Sequence, residues 1–167
     1  MFKFNEWDRK TWRLVIPIVA TNITIPLLGI VDIAVIGHLP GPHYLGGVAI
    51  GSLVFSIIFS SMMFLRMGTT GLTAQSLGAE DDDEVRSWFV RGVLIALVIG
   101  ILLISIQIPI SLYVFDWTNA SDAVLPLALE YFFIRIWCAP TTLINFVILG
   151  WFLGMQNPRD ALFTQVV

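Results

Sequence analysis

Long apolar segments separated by short polar ones dominate the sequence. Four segments are long enough to cross a membrane as helices, at about 14–39, 46–77, 87–115 and 123–153, and a fifth begins near 161. A spanning helix needs about 20 mainly apolar residues, whereas strands of a membrane barrel alternate apolar and polar positions over about 10 residues. The apolar residues here are contiguous. We therefore predict an all-α, polytopic membrane helix bundle of four transmembrane helices and the start of a fifth.

The composition agrees with a membrane protein and narrows the function classes. Hydrophobic residues make up 57% of the 167 residues and charged residues 13%, against roughly 25% charged residues in a soluble domain. The single cysteine, Cys138, excludes an internal disulfide or a cysteine-based metal cluster. The sequence contains no nucleotide-binding loop, catalytic motif or basic nucleic-acid patch. We therefore expect neither an enzyme nor a nucleic-acid-binding protein, and neither a cofactor nor a metal site.

The basic residues predict an orientation in the membrane. Cytoplasmic loops carry an excess of Lys and Arg, and the connections at 38–47 and 116–122 contain none. Eight of the nine basic residues fall on the other side of the predicted spans: Lys3, Arg9, Lys10, Arg13, Arg66, Arg86, Arg91 and Arg159. We therefore predict a cytoplasmic N-terminus.

The one clear carboxylate in the middle of a span is Asp32. At 1.5 Å per residue it lies roughly 8 Å beyond the middle of the 14–39 segment, on the outer side. A charge near the bilayer centre costs about 2.5–3.5 kcal/mol on insertion scales, and such acids usually mark ion or proton paths. Thr21 shares its helical face, and Pro26 removes a backbone hydrogen bond and kinks the helix. We predict a proton-binding role for Asp32; the alternative is a structural acid held by a neighbouring Thr, Tyr or Arg.

Arg135 is the other charged candidate within a span. If the fourth helix starts near 122, Arg135 lies close to the bilayer centre and needs a partner; if it starts near 131, the side chain can reach the outer surface. The pattern of apolar residues does not distinguish these alternatives, and a pair between Asp32 and Arg135 stays open. Asn22 and Asn145 are further polar residues within spans, where interhelical hydrogen bonding is the commonest role.

Three motifs in order resemble those of a known transporter family. They are Pro26–Asp32 with Val35–Gly37, Gly68–Ala79, and Gly150–Gln156. Together they resemble the multidrug and toxin extrusion (MATE) family, and most closely its DinF-like branch. The resemblance extends over essentially the whole chain, with matching helix spacing.

The resemblance implies a fold and an activity. MATE proteins have twelve helices in two six-helix lobes around a central cavity, and they export organic, often cationic, compounds in exchange for protons or sodium. Asp32 matches the coupling carboxylate of the DinF-like branch, and Pro26 matches the proline at which the first helix bends. The chain would then be part of the N-terminal lobe of such a transporter, in the bacterial inner membrane. Alternating access needs two lobes, so transport would require the C-terminal lobe.

Proton coupling is favoured over sodium coupling, because Asp32 is the only clear mid-membrane carboxylate and sodium needs several oxygen ligands. Two other functions stay open. A flippase of lipid-linked substrates within the same superfamily is expected to carry several cationic residues in its cavity, where Arg135 alone is available. A small helical membrane protein without transport activity should be complete at four spans, whereas this sequence stops inside an apolar run.

We expect residues 1–167 to be poorly stable alone, because helix faces suited to further spans would be uncovered. Size-exclusion chromatography and thermal unfolding of the purified segment in detergent measure this. A monodisperse, heat-resistant preparation would contradict the interpretation as part of a larger lobe.

Overall fold

The structure is a computed structural model that describes residues 41–116, 118 and 121–166, with positions 12, 15, 16, 19, 34 and 37. Within this part of the chain all regular structure is helical, and no strand is present. Three helical stretches among these residues are long and apolar enough to cross a membrane, at Pro42–Gly78, Asp82–Ser105 and Leu125–Gly154. The prediction of an all-α membrane helix bundle is therefore confirmed; most of the first predicted span lies outside the described residues.

The first stretch consists of two helices joined at Met62. Helix α1 spans Pro42–Ser61 and helix α2 spans Met63–Gly78. Pro42 stands in the first turn of α1, where its missing N–H costs nothing. The helix thus begins before the boundary near 46 that the apolar pattern indicated. The N–H of Met62 reaches two carbonyls of α1, so the two helices run on almost continuously.

The second stretch begins in the acidic segment. Helix α3 spans Asp82–Ser105, and the Asp81 carboxylate accepts a hydrogen bond of 2.9 Å from the Glu84 N–H. This cap, with three acids in the first turn, stabilises the positive helix N-terminus. The helix therefore starts at Asp82 rather than near 87. A break at Ile106 separates α3 from helix α4, Gln107–Asp116.

The third stretch contains helix α5, Leu125–Arg135, a 3₁₀ turn, Ile136–Cys138, and helix α6, Ala139–Gly154. Pro140 follows the turn and has no N–H to donate to the carbonyl of Ile136. The Ala139 N–H donates to that carbonyl instead, in the tighter 3₁₀ pattern. A turn then leads to helix α7, Pro158–Val166, in the region where the sequence predicted the start of a fifth span.

Helix α6 lies at the centre of the described bundle and packs against α2 and α3. Leu143 and Val147 of α6 are fully buried. At the cytoplasmic end predicted from the charges, the Trp151 indole N–H donates to the Val85 carbonyl over 3.1 Å. A second pair, α1 against α5, completes the core through the stacked rings of Phe55 and Phe132.

Glycines stand where these helices approach most closely. A Cβ atom at Gly150 would lie 2.6 Å from the Arg66 carbonyl oxygen of α2, and one at Gly100 would lie 2.6 Å from the Pro140 Cα. Small residues at such crossings let backbones come close enough for dispersion and weak hydrogen bonds to hold helices together in lipid. At Gly71 of α2, by contrast, a Cβ atom would have no neighbouring atom within 4 Å.

Substituting Gly150 with alanine should destabilise the protein even though alanine favours helix by about 1 kcal/mol. The added methyl overlaps a backbone carbonyl, and overpacking of this kind typically costs about 1–3 kcal/mol. The measurement is the thermal unfolding, in detergent, of a full-length transporter that carries residues 1–167. Gly71→Ala is the matched control, since it adds the same methyl where there is space. Equal or greater stability of Gly150→Ala would contradict this packing.

Candidate functional site

The predicted site residues divide into two groups. Asp32, Pro26, Asn22 and Thr21 all lie outside the described residues, so their roles stay predictions. Arg135 and Asn145 are described. They stand on the same spanning stretch, ten residues and hence roughly 15 Å apart along the helix axis. The structure therefore does not bring these two side chains together.

Asn145 is half-buried on α6. Its amide makes no hydrogen bond with any side chain or backbone group in the part of the chain that the structure describes. The described helices therefore leave its hydrogen-bonding groups unused.

Arg135 lies well inside its spanning stretch. The helix begins at Leu125 and the stretch continues to Gly154 over 30 residues. At 1.5 Å per residue Arg135 is about 7 Å from the middle of this stretch. The start at Leu125, rather than near 131, puts the backbone of Arg135 within the spanning stretch and not at its end. An arginine at this depth normally faces a protein interior or a wet cavity and has a partner.

The guanidinium is held at the seam between α1 and α5. Its Nη1 donates to the Tyr131 hydroxyl, one turn earlier on α5. Its central carbon stands 5.5 Å from the ring centre of Phe55 and 5.4 Å from that of Tyr131. Both separations fall within the range of about 6 Å for cation–π attraction. Since Phe55 is only 1% exposed, its ring provides a fixed surface for the charge.

The Tyr131 hydroxyl connects this charge to α1. It lies 3.1 Å from the Ser52 hydroxyl. Because the tyrosine oxygen accepts from Arg135, its own proton is available for donation to Ser52. The closeness depends on Gly51, since a Cβ atom there would overlap the Tyr131 ring. Ser52, Tyr131 and Arg135 thus form a short hydrogen-bonded chain across two helices.

Two further serines continue the polar surface of α1. Ser56 and Ser60 follow Ser52 at intervals of four residues, so the three hydroxyls lie along one helix face. Ser56 and Ser60 are exposed, and neither hydroxyl bonds to a described residue. They line a shallow depression of about 490 Å³, whose other lining residues are Leu53, Ile57 and Ser61.

Sequence reasoning missed Ser52, Phe55 and Tyr131. The signal available for Tyr131 was its position four residues before Arg135, which puts both on one helix face. The four-residue spacing of the serines on α1 was also visible in the sequence. The contact between Ser52 and Tyr131, however, joins residues 79 positions apart, and no local pattern indicates it.

Residues 17–167 match the model of the MatE family. The chain belongs to the MATE family. It is 44% identical over 160 residues to the DNA damage-inducible protein F of Escherichia coli (strain K12). This alignment covers 96% of the present chain and 35% of that protein. It is 30% identical over 118 residues to a probable multidrug resistance protein NorM of Halalkalibacterium halodurans. This second alignment covers 71% of the present chain and 26% of the relative.

Solved structures share the fold of this MATE chain. A MOP superfamily transporter from Pyrococcus furiosus superposes with a TM-score of 0.83 at 24% identity, covering 94% of this chain and 34% of that one. A MATE protein in complex with MaD3S superposes with a TM-score of 0.84 at the same identity, covering 94% and 35%. The chain therefore spans about a quarter to a third of the length of the relatives it matches. The predicted resemblance to this family, and the fit to part of an N-terminal lobe, are confirmed.

Removing the Tyr131 hydroxyl should weaken the α1–α5 seam. Tyr131→Phe leaves Ser52 and Arg135 without their shared partner, and hydrogen bonds to charged groups contribute about 1.5–3 kcal/mol. We expect a lower unfolding temperature for the full-length transporter in detergent. The control is Tyr113→Phe, because Tyr113 on α4 is 78% exposed and its hydroxyl bonds to no described residue. Equal unfolding temperatures for the two variants would show that the hydroxyl chain does not stabilise the seam.

Proposed function

We propose that this chain is the N-terminal part of a secondary active antiporter. The antiporter exports organic, often cationic, compounds across the bacterial inner membrane in exchange for protons. The observation that carries the proposal is the family match over residues 17–167. The name of the H. halodurans relative, a probable multidrug resistance protein, supports small organic substrates.

Asp32 is the proposed coupling carboxylate. A proton from water on one side of the membrane adds to the deprotonated side chain, and the neutral acid later releases it on the other side. The proton gradient supplies the driving force, and a change of access from one side to the other couples it to transport. Pro26, six residues earlier, is the proposed bend of the first helix, because a proline leaves one backbone carbonyl without its helical partner.

The remaining polar residues are proposed as the cavity network around this acid. Asn22 and Thr21 belong to the same predicted span as Asp32. Arg135 and Asn145 come from the fourth span, and both keep hydrogen-bonding capacity that no described residue uses. A second lobe is required for alternating access, so the C-terminal lobe is the proposed partner of this chain.

The proposed orientation has the N-terminus in the cytoplasm. It is supported by the distribution of Lys and Arg, including Arg86 and Arg91 near the start of α3. Arg91 forms an ion pair of 2.8 Å with Glu84 and stands 4.9 Å from the Trp88 ring centre. Basic and tryptophan side chains together are typical of a membrane interface.

Replacing the proposed coupling acid should abolish efflux. Asp32→Asn keeps the shape of the side chain but cannot exchange a proton, so the proton gradient can no longer drive the export of an organic cation. The measurement is dye efflux from cells expressing a full-length transporter that carries residues 1–167, with membrane expression measured in parallel. Asp122→Asn, in the exposed connection before α5, is the control and should transport normally. Normal efflux by well-expressed Asp32→Asn would refute the coupling role.

A further inference from the structure

The guanidinium of Arg135 has hydrogen-bond donors to spare. A guanidinium carries five N–H donors, and the Tyr131 hydroxyl accepts from one nitrogen. Among the described residues the one ion pair joins Arg91 and Glu84, so no acid of this part of the chain neutralises Arg135. The rings of Phe55 and Tyr131 support the charge from the protein side. Because Arg135 is exposed, its unused donors are open to the surroundings of the bundle.

The side chain of Arg135 reaches back toward the start of its span. The stretch Leu125–Gly154 has 30 residues, which make about 45 Å of helix against a hydrocarbon layer of about 30 Å. When the stretch is centred, about 7 Å of it extends beyond the hydrocarbon at each end. Tyr131 stands about 9 Å from Leu125, and the guanidinium bonds to its hydroxyl. The charge therefore lies near the edge of the hydrocarbon layer, next to the headgroups of that leaflet.

The surface beside the guanidinium is apolar. Leu53 and Ile57 of α1 are more than half exposed, and so are Ile134 and Trp137, which flank Arg135 in the chain. Acyl chains are as apolar as these side chains, so such a surface suits lipid. The described bundle thus presents a single positive charge at the headgroup end of an apolar surface.

A shallow depression of α1 continues from this charge toward the middle of the membrane. Helices α1 and α5 run in the same direction, because Gly47 approaches Leu127 and Gly51 approaches Tyr131. The depression begins one residue beyond Ser52 along α1. It therefore lies on the side of the guanidinium where the acyl chains of a lipid would follow its headgroup.

Ser56 adds a hydrogen-bond donor to this depression. The exposed hydroxyls of Ser61 and Ser105 donate to carbonyls one turn earlier on their own helices, which satisfies them in lipid. Ser56 makes no such bond with a described residue, and it lies about 6 Å deeper than Ser52. The ester carbonyls of a phospholipid lie just below its phosphate and accept hydrogen bonds from donors placed in this way.

We propose that the seam between α1 and α5 binds a phospholipid with an anionic headgroup, in the leaflet on the Leu125 side. The phosphate accepts two hydrogen bonds from the planar guanidinium of Arg135, an ester carbonyl accepts from Ser56, and one acyl chain lies along the α1 depression. Basic pockets between spanning helices recognise anionic headgroups in this way. The phosphate leaves further donors of Arg135 for the proposed cavity network. This inference goes beyond the proposed function and does not rest on it.

Photolabelling tests the site without any transport measurement. A full-length transporter that carries residues 1–167 is reconstituted in phosphatidylethanolamine vesicles with a small fraction of a lipid that has a photoreactive acyl chain. The headgroup of this lipid is either anionic phosphatidylglycerol or zwitterionic phosphatidylethanolamine, and mass spectrometry locates the label. At residues 53–60 labelling by phosphatidylglycerol should be several-fold stronger. The internal control is residues 94–98 of α3, where Leu94 and Val98 are exposed and apolar; they should show no preference.

Charge variants identify the group responsible. Arg135→Gln should abolish the preference at residues 53–60, whereas Arg135→Lys keeps the charge without the planar fork and should retain part of it. The matched control is Arg86→Gln, which removes an equally exposed charge near the start of α3 and should leave the preference unchanged. Soluble glycerol phosphate, which lacks acyl chains, should not displace the label.

A preference confined to residues 53–60 and dependent on Arg135 supports the lipid site. The same preference at residues 94–98, or equal losses in Arg135→Gln and Arg86→Gln, would overturn it. Displacement by glycerol phosphate would also overturn it and would identify a site for free phosphate. Absent labelling of residues 53–60 would show that another part of the protein covers this surface. The comparison of the two lipids in the unsubstituted protein decides the question even where Arg135→Gln fails to fold.

Discussion

The structure depends on how closely its helices approach one another. Lipid tails are as apolar as the side chains that face them, so burying apolar surface contributes little free energy to the association of spanning helices. Close contact must provide the attraction, and it requires small residues. Gly100, Gly150 and Gly154 stand at crossings around α6, where a Cβ atom would overlap Pro140 or the backbone and threonines of α2. Seams of this kind leave no room for one more methyl group at these glycines, and this fixes how closely the helices approach.

The same constraint positions the candidate site. Gly47 and Gly51 let α5 lie directly on α1, which brings the Tyr131 ring against α1 and its hydroxyl to Ser52. Tyr131 and the buried Phe55 then hold the guanidinium of Arg135. The guanidinium is thus held by packing and by one hydroxyl, and not by an acid in the described bundle.

Much of the fold was predictable because spanning helices have a strong signature in sequence. Length and apolar content alone indicated the three described spans, and the motifs indicated the MATE family. Two helices begin inside polar segments, at Pro42 and at Asp82. A proline in the first turn favours one start and an aspartate cap favours the other. Both act over a single turn, which hydrophobicity averaged over a whole span does not detect. The break at Met62 has no proline or glycine beside it and hence no local signal. The break at Ile106 has one, because Pro109 has no N–H to donate to the Ser105 carbonyl at the end of α3.

The candidate site was only partly predictable, for a different reason. Arg135 was recognisable as a charge in a span, but its depth depended on where the helix begins, and the apolar pattern allowed two starts. Phe55, the other ring beside it, comes from α1, far away in the chain, so its identity required the packing of α1 on α5. Asp32, Pro26, Asn22 and Thr21 lie outside the described residues and remain predictions from the sequence.

The central claim is that Asp32 exchanges a proton as the substrate binds. The most direct measurement is proton release in a weakly buffered solution of the purified full-length transporter when an organic cation is added. We predict that binding of the cation releases a proton and that Asp32→Asn, while still binding the cation, releases none. An equal release from both proteins would contradict the claim.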